Sequence, residues 1–151
     1  MKNPFTHLIF IICISCNPQK KIENEKKDTN HEHGIIWTVQ NDTIRNCIEL
    51  KKIRQVSPEA ISPEVVTFAN NEHWKKVPVQ VRKISNDTIY LKVDGGKVLT
   101  QEMGSAGAAS YMATTTYNYT EIIGINYVNF IFEEGDHARP GTYQREDFEC
   151  F

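Results

Sequence analysis

The chain lacks any long apolar run. Nowhere in its 151 residues do about 18 apolar side chains follow one another, so no permanent transmembrane helix is expected. It lacks a surplus of charge as well: 17 lysines and arginines stand against 19 acids, a formal net charge of −2. Without a global basic field to gather polyanions, no nucleic-acid partner is expected. Histidine is scarce, at five residues, and His7, His31 and His33 fall early in the chain. That thins the supply of acid–base groups and metal ligands. Cysteine occurs only at positions 13, 16, 47 and 150. What remains is a chain of single-domain length, about 40% apolar, enough for an ordinary core.

The N-terminus carries the strongest signal. In "MKNPFTHLIFIICISC", Lys2 precedes an apolar stretch from Leu8 to Ile14, then small Ser15. That order predicts an export signal over residues 1–15 rather than a buried helix. "CISC" (Cys13 to Cys16) resembles a bacterial lipobox, in which cleavage precedes a cysteine that becomes lipidated; Cys13 stands where leucine is usual. Cys16 is therefore the predicted lipidation site, with a plain secretory signal as the alternative. Cleavage would remove Cys13 and lipidation would consume Cys16. Cys47 and Cys150 would remain as an even pair in an oxidising compartment. Joined, they would close a loop worth ~4–5 kcal/mol in the chain-entropy model; two buried thiols are the alternative.

Asn17 to Gly34 ("NPQKKIENEKKDTNHEHG") holds one large apolar residue, Ile22. Such a segment cannot bury enough surface to offset its ordering entropy. Residues 16–34 are expected to be a lipidated cysteine and a solvated tether, reaching about 23 Å on average. One α+β domain is expected over 35–151.

Within it, "GIIWTVQNDTIRNCIEL" predicts strand broken at the turn pair Asn41-Asp42, with Ile44, Ile48 and Leu50 on one face and Cys47 on the other. Ser-Pro-Glu occurs at 57–59 and 62–64. Serine as N-cap, proline first and an acid in the opening turn form a helix start. Val65, Phe68, Ala69 and Trp74 would make the apolar stripe, and the helix should fray by Asn70-Asn71. "VPVQVRKISNDTIYLKVDGG" predicts a hairpin turning at Asn86-Asp87 with a bulge near Arg82-Lys83, where Ile84 breaks the alternation of Val77, Val79 and Val81. Residues 105–120 favour strand by propensity in the Thr114–Tyr119 region. Yet Ala109, Met112, Ala113, Thr116, Tyr119 and Ile123 keep helical spacing, and helix is preferred, with Ser105 as cap and Gly124 at the end. Ile125 to Phe132 alternates as a strand. The order strand, helix, strand, strand, helix, strand predicts a two-layer α+β sandwich, a sheet of three to four strands with two helices.

"VRKISNDTIYLKVD" followed by "GSAGAASYMATTTYNYTEIIGINYVNFIFEEG" resembles the GerMN domain of bacterial envelope and sporulation proteins over about residues 79–135. Tyr119-Thr120-Glu121 takes the helix-end position, Gly124 the turn, and Tyr127 to Phe132 the final strand. The resemblance implies a small module of envelope assembly or protein–protein contact. It carries over no catalytic residue and raises self-association.

The richest polar stretch is "FEEGDHARPGTYQRED". An enzyme would use Asp136 and His137 as metal ligands or an acid–base pair, helped by Glu133 or Glu134. Their spacing matches no diagnostic ligand pattern, and adjacent side chains diverge. The plainer expectation is a turn at Glu134-Gly135-Asp136, a second at Pro140-Gly141, and a tail running back to Cys150. "HEH" at 31–33 and "GSAGAAS" at 104–110 resemble metal and phosphate sites only loosely; the second reads better as close helix packing. No cofactor is expected. The preferred function is a membrane-anchored, non-catalytic envelope module contacting another envelope protein or itself. The alternatives are a metal-dependent hydrolase at Asp136/His137 and a cell-wall carbohydrate-binding module using exposed aromatics.

Overall fold

The computed structural model describes residues 34–42 and 47–148. The leader, Cys16, the tether up to His33 and Cys150 lie outside the described residues. An antiparallel pair comes first, β1 (Trp37–Asp42) and β2 (Cys47–Lys52), registered from Trp37 opposite Lys52 to Asp42 opposite Cys47. The first Ser-Pro-Glu starts only a 3-10 turn, Pro58–Ala60. The second starts helix α1 (Pro63–His73), where Ser62 Oγ accepts the Val65 N–H at 3.4 Å. Strands β3 (Val79–Ser85) and β4 (Thr88–Val93) form the expected hairpin. Asn86 has φ of 54°, as a two-residue turn requires, and the register shifts between Val81 and Lys83. A π-helical turn (Val98–Glu102) leads into helix α2 (Gly104–Tyr119). Then follow β5 (Tyr127–Ile131), β6 (Gly141–Tyr143) and a 3-10 turn, Arg145–Phe148.

The fold is α+β. Its main sheet has the order β3-β4-β5-β6, with β4 and β5 parallel and the outer pairs antiparallel. Two adjacent parallel strands need a crossover, and α2 supplies it. Ile89, Leu91, Val128 and Phe130 alternate along β4 and β5 and are buried to 1% exposure or less. They meet α2, whose Tyr111 ring lies 6.4 Å from that of Phe130. Burying such a side chain fully is worth about 1.5–3 kcal/mol.

Helix α2 is buried without a break from Ser110 to Thr116, which a helix lying on one sheet would not be. Three elements cover it. The sheet takes one side. Helix α1 takes a second, through the Thr115–Asn70 (3.1 Å) and Tyr119–Thr67 (2.7 Å) hydrogen bonds. The β1–β2 hairpin takes a third, where Trp37 packs edge-on against Tyr117 at 5.1 Å. Two all-round features explain the ambiguous sequence of α2: small residues allow close approach, and threonines tolerate burial.

Several expectations need correction. The N-terminal strands do not join the main sheet; the fourth place belongs to β6. Asn41 and Asp42 sit inside β1 rather than in its turn. Helix α1 does not fray at Asn70-Asn71, because both side chains find partners in the fold. Asn70 is fully buried and accepts from Thr115, while Asn71 bonds twice to the backbone of Val79. The buried stripe of α1 is Val66, Ala69 and Asn70, and Phe68 is 56% exposed. Ser105 does not cap α2, and Ile123 beyond its end is 73% exposed.

Candidate functional site

Three places on the surface gather chemistry. The first is the polar stretch after β5. The chain reverses between Gly135 and Ala138, whose carbonyl accepts the Gly135 N–H at 3.3 Å, and returns as β6. Thus the expected reversal is present, centred between Asp136 and His137 rather than on Gly135. Gly135 presses on the π-helical turn: a Cβ there would lie 2.6 Å from Thr100 Cβ. The His137 N–H donates to the Thr100 carbonyl at 3.1 Å and pins the same segment. Between this reversal and the start of α2 lies an open groove of about 700 Å³, lined by Glu134, Asp136, His137 and Arg139 against Ala108 and Met112.

The three residues singled out from sequence therefore share one groove. Their side chains do not act on one point. Glu134 pairs with Arg139 at 3.1 Å, both more than 60% exposed. His137 Nδ1 hydrogen-bonds Ser105 Oγ at 3.1 Å. Among the described residues Asp136 bonds to neither, and no group of three or more His, Cys, Asp or Glu side chains could hold a metal ion. The Ser105–His137 contact was invisible in sequence, because 32 residues and an entire helix–strand unit separate the two.

The second place is polar but fully engaged. Glu121, just past the end of α2, accepts from Trp37 Nε1 (2.8 Å), Arg145 Nη2 (2.8 Å) and Lys52 Nζ (2.9 Å). Arg145 also donates to Thr120 Oγ1 at 2.7 Å and lies 5.3 Å over the Trp37 ring and 5.0 Å over that of Tyr117. Partial burial works to raise the Glu121 pKa. Hydrogen bonds from Lys52, Arg145 and Trp37 outweigh it and bring the carboxyl down to about 2. This node ties β1, β2 and the C-terminal turn to α2. With each carboxylate oxygen occupied, it is a fastening rather than a receptor.

The third place is the outer face of the main sheet. Alternation turns Tyr90, Tyr127, Asn129 and Ile131 away from the buried Ile89, Leu91, Val128 and Phe130. Thr88 stands opposite Tyr127 and Tyr90 opposite Asn129, so the two half-exposed tyrosines are diagonal neighbours within reach of one ligand. Asn129 Nδ2 donates to Thr142 Oγ1 across to β6 at 2.8 Å, and Lys83 Nζ sits 4.3 Å over the Tyr90 ring. Ile131 is 44% exposed beside Lys92. Among the described residues no helix covers this face. The structure buries Tyr111, Tyr119 and Phe130, sets Tyr117 against Trp37, and leaves Tyr127 outside with Tyr90.

Comparison with protein-family models, with curated proteins and with solved structures gave no match to this chain.

Proposed function

We propose that this chain is a lipid-anchored protein of the cell envelope whose folded domain, GerMN-like over residues 79–135, is a non-catalytic binding or assembly module. The anchor is Cys16, exposed by cleavage after Ser15, and residues 17–34 hold the domain off the membrane. Cys47, at the start of β2, and Cys150, outside the described residues, are its proposed disulfide. The observation that carries the reading is the uncovered outer sheet face. Two tyrosines stand there side by side with Asn129 and Ile131, and tyrosine is a residue that partner-binding patches favour.

The test places a photoreactive side chain at Tyr127 and irradiates intact cells. Capture of an envelope protein or of a second copy supports the reading. Cross-links to cell-wall glycan alone would make the domain a carbohydrate-binding module instead. No adduct, with a monomer at all concentrations, overturns both.

A second reading, a hydrolase, draws on the Ser105–His137 contact beside the Asp136 groove. It requires a hydroxyl nucleophile activated by an imidazole. Turnover of ester or amide substrates that disappears in Ser105→Ala and in His137→Gln would favour it; turnover unchanged by both removes it.

A further inference from the structure

The open edge of the main sheet has a shape of its own. Strand β3 is one of the two outer strands, and its far edge is partly closed by the fold itself. Asn71 on α1 accepts the Val79 N–H at 2.8 Å and donates to the Val79 carbonyl at 3.0 Å. An amide side chain thus makes the two bonds that a neighbouring strand would make. It also shows which way the edge groups point: the backbone pair of Val79 faces away from β4. Two residues on, alternation turns the N–H and C=O of Val81 the same way. Among the described residues nothing bonds to that pair.

Beside this open stretch runs a groove of about 620 Å³ between α1 and β3, lined by Pro63, Glu64, Thr67 and Phe68 on one wall and Val81 and Ile84 on the other; Glu64 keeps acidic side chains out of the groove itself and leaves it to apolar ones. Phe68 is 56% exposed and Ile84 46%. Ile84 stands opposite the buried Ile89, so the groove lies on the helix-facing side of the sheet. The inward side chains of an added fifth strand would enter there. Proteins usually blunt free edges with charge and bulges. Here the bulge and Arg82-Lys83 are present, yet the apolar groove that such protection would remove is kept.

We propose, resting on the binding-module reading above, that the β3 edge receives an extended segment of another protein as an added strand. That segment carries apolar side chains at alternate positions, to fill the Phe68–Ile84 groove, and acidic side chains facing Arg82 and Lys83. Charge decides against a second copy of this chain. Pairing two β3 edges about a twofold axis near Val81 would crowd Arg82 and Lys83 of both copies together, and clustered like charges disfavour a strand pair.

The test uses the full chain in detergent and a labelled octapeptide that alternates glutamate with isoleucine or valine. A control peptide has lysine for each glutamate. Binding is read by fluorescence anisotropy, and its place by backbone-amide hydrogen exchange. The acidic peptide should bind about tenfold or more tightly than the basic one, and exchange at Val81 should slow. The double substitution Arg82→Glu, Lys83→Glu should invert the preference. Ile84→Asp should weaken the acidic peptide about tenfold while leaving exchange in β4 and β5 unchanged, which separates lost docking from lost folding. Equal binding of both peptides, protection at Tyr90 and Tyr127 instead of Val81, dimerisation through this edge, or adsorption to neutral phosphatidylcholine vesicles through Ile84 would each overturn it. Capture at Tyr127 in cells without peptide docking here sinks only the edge proposal and leaves the binding module standing.

Discussion

Asn118 holds Trp37 across 81 residues of sequence. Its side-chain oxygen accepts the backbone N–H of Trp37 at 3.0 Å and that of Ile36 at 2.6 Å, and its amide donates to the Trp37 carbonyl at 3.1 Å and the Thr114 carbonyl at 2.7 Å. One amide at 2% exposure thereby satisfies the backbone where the N-terminal hairpin enters the domain. Asn118→Ala would leave those groups unpaired in the interior. The expected loss is about 2–4 kcal/mol, read as a lower urea midpoint. Proteolysis should become faster within residues 34–52, the segment that Asn118 holds.

Glu121 predicts an acid limit. Its carboxyl ionises at about 2 in the folded state, against an ordinary 4.5. A depressed carboxylate stabilises the fold above its unfolded pKa and loses that contribution as pH falls through its folded one. Stability should therefore drop between about pH 5 and pH 2, by about 1–3 kcal/mol for this group. Glu121→Gln should lower stability at neutral pH and flatten that part of the pH profile. A profile of equal slope in both proteins would contradict the assignment.

Where sequence reasoning succeeded, local chemistry decided the structure. Ser62-Pro63-Glu64 opened a helix and Asn86-Asp87 turned a hairpin with its bulge in place. Where it failed, long-range partners decided. Asn70 and Asn71 look like a helix end, but Thr115 and Val79 give their amides buried or edge-strand partners, and the helix continues to His73. Phe68 fits a helical stripe by spacing, yet α1 turns a different face to the core. The groove residues Glu134, Asp136 and His137 were legible as a cluster because they are adjacent in sequence. Ser105, Glu121 and Tyr90 were not, because each gains its meaning from a residue at least 24 positions away or from strand register.

Gly135 tests how tightly the groove is built. Its absent Cβ would fall 2.6 Å from Thr100 Cβ, which belongs to a turn with little room to give. Gly135→Ala should cost about 1–3 kcal/mol and push His137 away from Ser105. The imidazole resonances of His137 should shift, while those of His73, on α1, stay in place.

Tyr90 and Tyr127 test the outer face. Replacing both by serine removes exposed aromatic surface and the Lys83 cation–π contact, which at exposed sites is worth about 0.5–1 kcal/mol. Thermal unfolding should change little. With the photoreactive group moved to Ile131 on the same face, partner capture in cells should fall to background if the two tyrosines form the contact surface.

Localisation underlies every step of the functional account, and one measurement reaches it directly: the intact mass of the mature chain isolated from its native host without added label. The account predicts recovery from the membrane fraction, an N-terminus at Cys16, and a mass excess equal to fatty acyl chains on that cysteine. A soluble chain that retains Met1, or one that begins elsewhere and carries no acyl group, would contradict it.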